Sequence, residues 1–155
     1  MRLSQREVTS IVDLLKIINR CKICRISMMD GDRPYLIPIS FGYTYKDGRL
    51  TLYFHGATEG RKIELMGRGT MAAFEMDCET RLIEAEQACM HSYQYASICG
   101  HGQMTMVDDG VGRVMAMKHI MYHQTGKNFD ISEEMLKNVA VFKLEVREFT
   151  GKCHL

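Results

Sequence analysis

The dipeptide Asp47-Gly48 places the strongest constraint on how this chain can fold. It stands between two strand-like runs, residues 35–45 and 49–55, and an Asp-Gly pair in that position closes a tight antiparallel hairpin. In the second run Leu50, Leu52 and Phe54 alternate with Thr51, Tyr53 and His55, the period of a half-buried strand. The hairpin demands a sheet whose neighbouring strands run antiparallel.

The rest of the chain supplies the partners. Val8, Ile11, Leu14, Leu15 and Ile18 hold helical spacing, so a helix is expected over residues 9–20, capped by Thr9 or Ser10. Residues 22–29 alternate, with Cys24, Ile26 and Met28 on one face, and Asp30-Gly31-Asp32-Arg33 is a turn. Further strands are expected near 70–77, 93–107 and 139–149, and helices near 111–123 and 132–137. Residues 78–92 read as part strand, part loop. Six strands linked mostly by hairpins close most economically as an antiparallel barrel with flanking helices, a mainly β, α+β arrangement. The length suits one domain, residues 1–155. Pro38 cannot donate to a ladder, which predicts that strand pairing breaks there. Pro38, Ser40, Ala96, Gly100 and Gly102 carry little side-chain bulk, so flat surfaces suited to a planar ligand are expected on two strands.

After the strand at 49–55 comes Gly56-Ala57-Thr58-Glu59-Gly60, and Ile63, Leu65 and Met66 then give the apolar side of a short helix. Arg61 and Lys62 fall in that helix's first turn, where acidic residues are favoured. Two readings stand: both side chains point into water, or an anion resolves the conflict, held by free N–H groups, two cations and His55.

The net charge of +1 with no long basic run argues against nucleic acid as the main partner. No apolar run is long enough to span a bilayer, and the charged N-terminus does not read as a signal peptide, so a cytoplasmic protein is expected. In that setting the six cysteines are expected to be reduced thiols. Cys21-x-x-Cys24 has no second such pair to complete four metal ligands, and Cys78, Cys89 and His91 match no standard zinc spacing, so no metal is expected. His119 and His123 share one face of a helix without the glutamate of a zinc protease, and read as surface histidines. His101, between two glycines, is either a pocket residue or an exposed strand residue. No Ser-His-Asp set or carboxylate pair is identifiable.

Several segments occur in a telling order: Cys21-Lys22-Ile23-Cys24-Arg25, Pro34 to Tyr43, Leu52 to Lys62, Ser97-Ile98-Cys99-Gly100-His101-Gly102, and Phe149-Thr150-Gly151-Lys152. Together they resemble the pyridoxamine 5′-phosphate oxidase-like flavoproteins, specifically the nitroimidazole-resistance branch, over nearly the full chain. The resemblance implies a split β-barrel that binds FMN and works as a homodimer, with FMN at the subunit interface. It implies that His55, Gly56 and Ala57 line the phosphate and ribityl chain and that Lys62 binds the phosphate, with Arg61 a weaker candidate beside it. It places Pro38, Ile39 and Ser40 along the isoalloxazine edge. Ser97 joins the pocket, with the partner subunit as one source of it, and Lys152 closes over the site. The true pyridoxamine phosphate oxidases carry a longer, arginine-bearing C-terminal region after the point where this chain stops, so vitamin B6 oxidation is not expected.

The function implied is an NAD(P)H-dependent reductase of small acceptors such as nitro-aromatics, with the flavin supplying the redox chemistry. His55 is the one candidate for a proton or hydrogen-bond donor near the ring. Two alternatives remain: a non-catalytic module that stores or senses flavin, and a haem-binding variant of the same fold.

Overall fold

The computed structural model describes residues 4–154. A short β1 (Glu7–Val8) precedes α1 (Ile11–Arg20), and five strands with one helix follow: β2 (Ile23–Asp30), β3 (Arg33–Ser40), β4 (Gly42–Lys46), β5 (Arg49–Gly56), α2 (Arg61–Gly67) and β6 (Met71–Ile83). The chain ends with β7 (Ser92–Met106), α3 (Gly110–Thr125) and β8 (Ala140–His154). One sheet runs in the order β3-β2-β6-β7-β8-β5-β4, with β1 added to β8, and every pair is antiparallel. It curls round a core but does not close: β3 and β4 are its two free edges. This is the split barrel.

Eight strands stand where six were expected. β1 is one addition. The other arises because residues 35–45 are two strands, not one. β3 pairs with β2 and β4 pairs with β5, so the chain changes partner at Phe41. The Phe41 side chain is fully buried, and its carbonyl accepts a bond from Gln124 Nε2 at 2.8 Å. Pro38 does not break the pairing. It sits opposite Arg25 within the β2–β3 ladder, and its missing N–H is tolerated because β3 is an edge strand.

Asp47 and Gly48 both take positive φ, 53° and 77°, as a tight hairpin requires. Residues 78–92 resolve into the end of β6, a bulge between Cys78 and Arg81, a single 3-10 turn and the start of β7, forming one long hairpin arm. The helix expected near 132–137 is only a 3-10 turn, Glu134–Leu136. The last strand runs five residues beyond its expected end because β7 and β1 both pair with that extension.

Alternation puts Leu50, Leu52 and Phe54 inside the barrel with Ile26, Met28, Met76, Ile98, Phe142 and Leu144, and α1 seals it with Leu14, Ile17 and Ile18. Ser10 caps that helix by accepting from the Asp13 N–H. A second cluster lies outside the barrel, where Ala116, Met117 and Ile120 of α3 pack on Leu136 and Val141. α3 comes so close to the sheet that a Cβ on Gly42 would lie 2.4 Å from the Ile120 backbone nitrogen. Gly100 and Gly102 are also close-approach positions, and they do not form the flat ligand surface expected of them. A Cβ on Gly102 would fall 2.2 Å from the Glu145 carbonyl, and one on Gly100 would strike the Phe74 ring and the Glu148 carbonyl. Ala96 is likewise core.

Candidate functional site

The opening in the barrel positions the first group of candidate residues. The β4–β5 ladder stops at Gly42 opposite Tyr53. Beyond that point β3 pairs only with β2 and β5 only with β8, so Pro38, Ile39 and Ser40 stand on one rim of the split while His55 and Gly56, with Ala57 following, stand on the other. Ile39 turns inward and is buried; Pro38 and Ala57 are exposed, and Ser40 and His55 are half-buried. α2 follows directly and brings Lys62 back onto the end of β5. A Cβ on Gly56 would meet Lys62 Nζ at 3.1 Å and Ile63 Cδ1 at 3.4 Å, so the absent side chain is what gives the ammonium room to lie there.

The charges at this point sort themselves. Arg61 is held by Asp30 and by Glu64, whose carboxylate it meets at 2.5 Å. Its hydrogen bonds to those two groups raise its pKa, and the same contact holds the Asp30 carboxyl below its ordinary value. The unfavourable first-turn charge is thus answered by protein carboxylates for Arg61. Lys62, half-buried, has no ion-pair partner among the described residues. The nearby His55 has its pKa pushed down, first by burial and then by the Lys62 charge, and its Nδ1 is buried with no hydrogen-bond partner. An unpaired cation and an orphaned imidazole nitrogen side by side are what a bound anion would satisfy. The residues present therefore fit a phosphate-bearing group.

Ser97 and Lys152 lie elsewhere in the same chain. They are register partners across β7 and β8 and share a recess of about 410 Å³ with Glu7, Cys99 and Thr150. One register row runs Pro38, Arg25, Glu75, Cys99, Thr150 across five strands. Ser97 stands two residues from Cys99, so it shares that outer face with Pro38. Three inter-strand steps separate β3 from β7, about 14 Å at ordinary spacing. From Val141, the partner of His55, to Lys152 is roughly 35 Å of strand contour. One protomer brings Pro38–Ser40, His55–Ala57 and Lys62 to the split and keeps Ser97 and Lys152 apart from them.

Other sequence candidates find structural places. Cys21 and Cys24 are buried, and desolvation pushes both thiols up. No group of three or more His, Cys, Asp or Glu that could hold a metal occurs among the described residues. His101 is exposed on β7. His123 is not a surface histidine: it is 6% exposed, wedged between Phe41 and Tyr43, with Nε2 2.8 Å from the Cys21 carbonyl. Its helical spacing to His119 was visible, but only the wrap of α3 around the β4 edge buries it. Asp30, the partner that neutralises Arg61, lay in a turn and carried no sequence signal of that role.

The profile of the pyridoxamine 5′-phosphate oxidase family matches residues 12–153. The chain belongs to that family. No curated protein matches it. Among solved structures, it is similar to a candidate 5-nitroimidazole antibiotic resistance protein from Bacteroides thetaiotaomicron, at 29% identity and TM-score 0.79, covering 94% of this chain and 85% of that one. It is also similar to the FAD and haem binding protein of Mycobacterium smegmatis, at 18% identity and TM-score 0.80, covering 96% and 73% of the two chains. The flavocytochrome of Azotobacter vinelandii matches at 14% identity and TM-score 0.79, over 100% of this chain and 72% of that one. At these last two identities the likeness shows the fold. Within the pyridoxamine 5′-phosphate oxidase family fold, the split edge with Lys62 brings an unpaired lysine, a partnerless imidazole nitrogen and a side-chain-free strand end together. No helix of the described residues is long and apolar enough to cross a membrane.

Proposed function

We propose that this family member is an FMN-binding homodimeric flavoprotein that passes reducing equivalents from NAD(P)H to small oxidised acceptors such as nitro-aromatics. The observation that carries the reading is the Lys62 ammonium lying over Gly56 beside His55, without a carboxylate partner. In this reading Lys62 holds the flavin phosphate, and Gly56 and Ala57 let the backbone approach the ribityl chain. The rim at Pro38–Ser40 offers backbone groups to the ring. When bound, FMN supplies hydride acceptance from a nicotinamide and onward delivery of electrons. His55, kept neutral by burial and by Lys62, offers a hydrogen bond at Nδ1 rather than a standing positive charge. Two relatives of the same fold that are described as a FAD and haem binding protein and a flavocytochrome support a flavin of some kind. The nitroimidazole-resistance relative supports the acceptor class.

The dimer rests on geometry together with the family resemblance. Ser97 and Lys152 belong to the flavin pocket in that resemblance, yet in one protomer they stand across the sheet from the split. A second copy related by a two-fold axis supplies them without any change in the fold. The cytoplasm, with its reduced pyridine nucleotides, is the compartment this reading requires.

An absorption spectrum of the purified protein, followed by anaerobic mixing with NADH or NADPH, tests the proposal. Flavin bands that bleach on mixing and recover on adding a nitro-aromatic or a quinone are expected. A Soret band in their place identifies a haem variant, a flavin that no nicotinamide reduces identifies a storage module, and failure to bind added FMN refutes the reading at its base.

A further inference from the structure

A roomy recess lies outside the flavin reading. It is a cleft of about 660 Å³ where the C-terminal half of α3 wraps the free edge of β4. Its walls are rings: Tyr43, Tyr45 and Tyr53 from the hairpin, His119, Tyr122 and His123 from the helix. Tyr53 stacks on His119 at 5.4 Å and 17°, and its hydroxyl lies 3.2 Å from Thr44 Oγ1, so that wall is pre-organised. Recesses of this size lined by aromatic groups with a few placed polar atoms are how proteins hold small planar molecules.

Two polar groups say more. His123 is 6% exposed, and its Nε2 bonds the Cys21 carbonyl, so Nε2 carries the proton and Nδ1 is a bare acceptor. That Nδ1 is covered and has no partner among the described residues, a state that costs free energy unless a donor arrives, and a small shift of the Tyr43 ring packed against it is what admits one. At the other end Lys46 lines the cleft with no ion pair among the described residues. It stands three residues beyond Tyr43 on β4, about 10 Å at the backbone, and its flexible stem shortens that span. We propose that this cleft binds a hydroxylated aromatic acid, its ring between the tyrosines, its hydroxyl donating to His123 Nδ1 and its carboxylate at Lys46. Tyr53 and His55 project from the same face of β5 about 7 Å apart, so such a ligand sits next to the split edge, although the proposal stands without any flavin.

The probe is 4-hydroxybenzoate, titrated into the intact protein by calorimetry. Benzoate, which lacks the donor, and 4-hydroxybenzyl alcohol, which lacks the carboxylate, serve as comparisons. The acid with both groups is expected to bind at least about tenfold tighter than either. His123→Gln keeps a donor for the Cys21 carbonyl and, with its amide nitrogen in the place of Nε2, carries its oxygen away from the Nδ1 position, so it is expected to abolish the preference for 4-hydroxybenzoate over benzoate. Lys46→Gln is expected to weaken both acids and spare the alcohol. Tyr122→Ala, at an exposed ring, is expected to weaken all three, and it decides the matter if His123→Gln does not fold. Equal affinity for the three probes, a preference that survives His123→Gln, or indifference to Tyr122→Ala and Lys46→Gln each overturns the proposal.

Discussion

Replacing Lys62 by alanine separates the anion-site reading from a merely solvated lysine. In the ligand-free protein the ammonium has no carboxylate partner among the described residues and lies against the side-chain-free Gly56, so the change breaks no ion pair. The apo fold is therefore expected to melt at an unchanged temperature. The Lys62 charge also contributes to holding His55 below its ordinary pKa, so Lys62→Ala should move the His55 titration upward, read by NMR. Toward ligand, one charge-assisted hydrogen bond to phosphate is worth about 1.5–3 kcal/mol, which raises Kd for FMN by roughly ten- to 150-fold. Riboflavin lacks the phosphate and should be unaffected. Lys62→Glu should be worse than alanine for FMN, because it adds repulsion to the lost bond. Fluorescence quenching titrations with both ligands make the measurement. Equal losses for FMN and riboflavin, or none for FMN, would refute the assignment.

Three further outcomes follow from the same geometry. Arg61→Gln should change FMN affinity by less than about threefold, since that side chain is already matched by Asp30 and Glu64 and exposed pairs contribute little; the same titration checks it. Gly42→Ala should lower Tm by about 3–10 °C in a thermal melt, because its Cβ meets backbone of α3 that cannot rotate away. The ligand-free protein should lose stability in acid. His55, His119 and His123 all have pKa values pushed down by burial, so the unfolded chain binds protons first. Their contribution is present in full above about pH 6.5 and is lost as pH falls from there through the depressed folded values, measured by denaturant titration across that range.

Much of this was written in local sequence. Asp47-Gly48 and the alternation of residues 49–55 fixed the hairpin, and the helix over 9–20 formed two residues shorter at its start, where Ser10 supplies the cap. These features are local, and short-range chemistry decides them. What escaped was decided by distant partners. Nothing in residues 35–45 shows that the strand changes neighbour at Phe41, because the change is made by Gln124 and by α3 pressing on Gly42. Gly100 and Gly102 looked like open surface, yet they exist to let β7 pass β8 and Phe74. The candidate site was legible in the same uneven way. Lys62, His55 and Gly56 fall within one strand–turn–helix and lie together in the fold, whereas the neutralisation of Arg61 needed Asp30 from the far end of β2.

The separation of Ser97 and Lys152 from the split makes the proposed dimer testable without a structure of it. Suppose each flavin pocket takes Lys62 from one protomer and Lys152 from the other. Lys62→Glu and Lys152→Glu chains alone then each spoil both pockets of their homodimers. Unfolded together and refolded as a mixture, they form half mixed dimers by chance. In a mixed dimer one pocket collects both substitutions and the other collects neither. About a quarter of the original FMN-binding capacity should therefore return, with wild-type affinity, in a preparation whose parents bind weakly. The restored fraction should scale as the product of the two chain fractions and vanish when either is omitted. If both lysines served a pocket within one protomer, every pocket in the mixture would carry one substitution and nothing would return. Flavin retained after gel filtration measures the outcome, and the absence of recovery in particles of dimer size would show that the shared pocket does not exist.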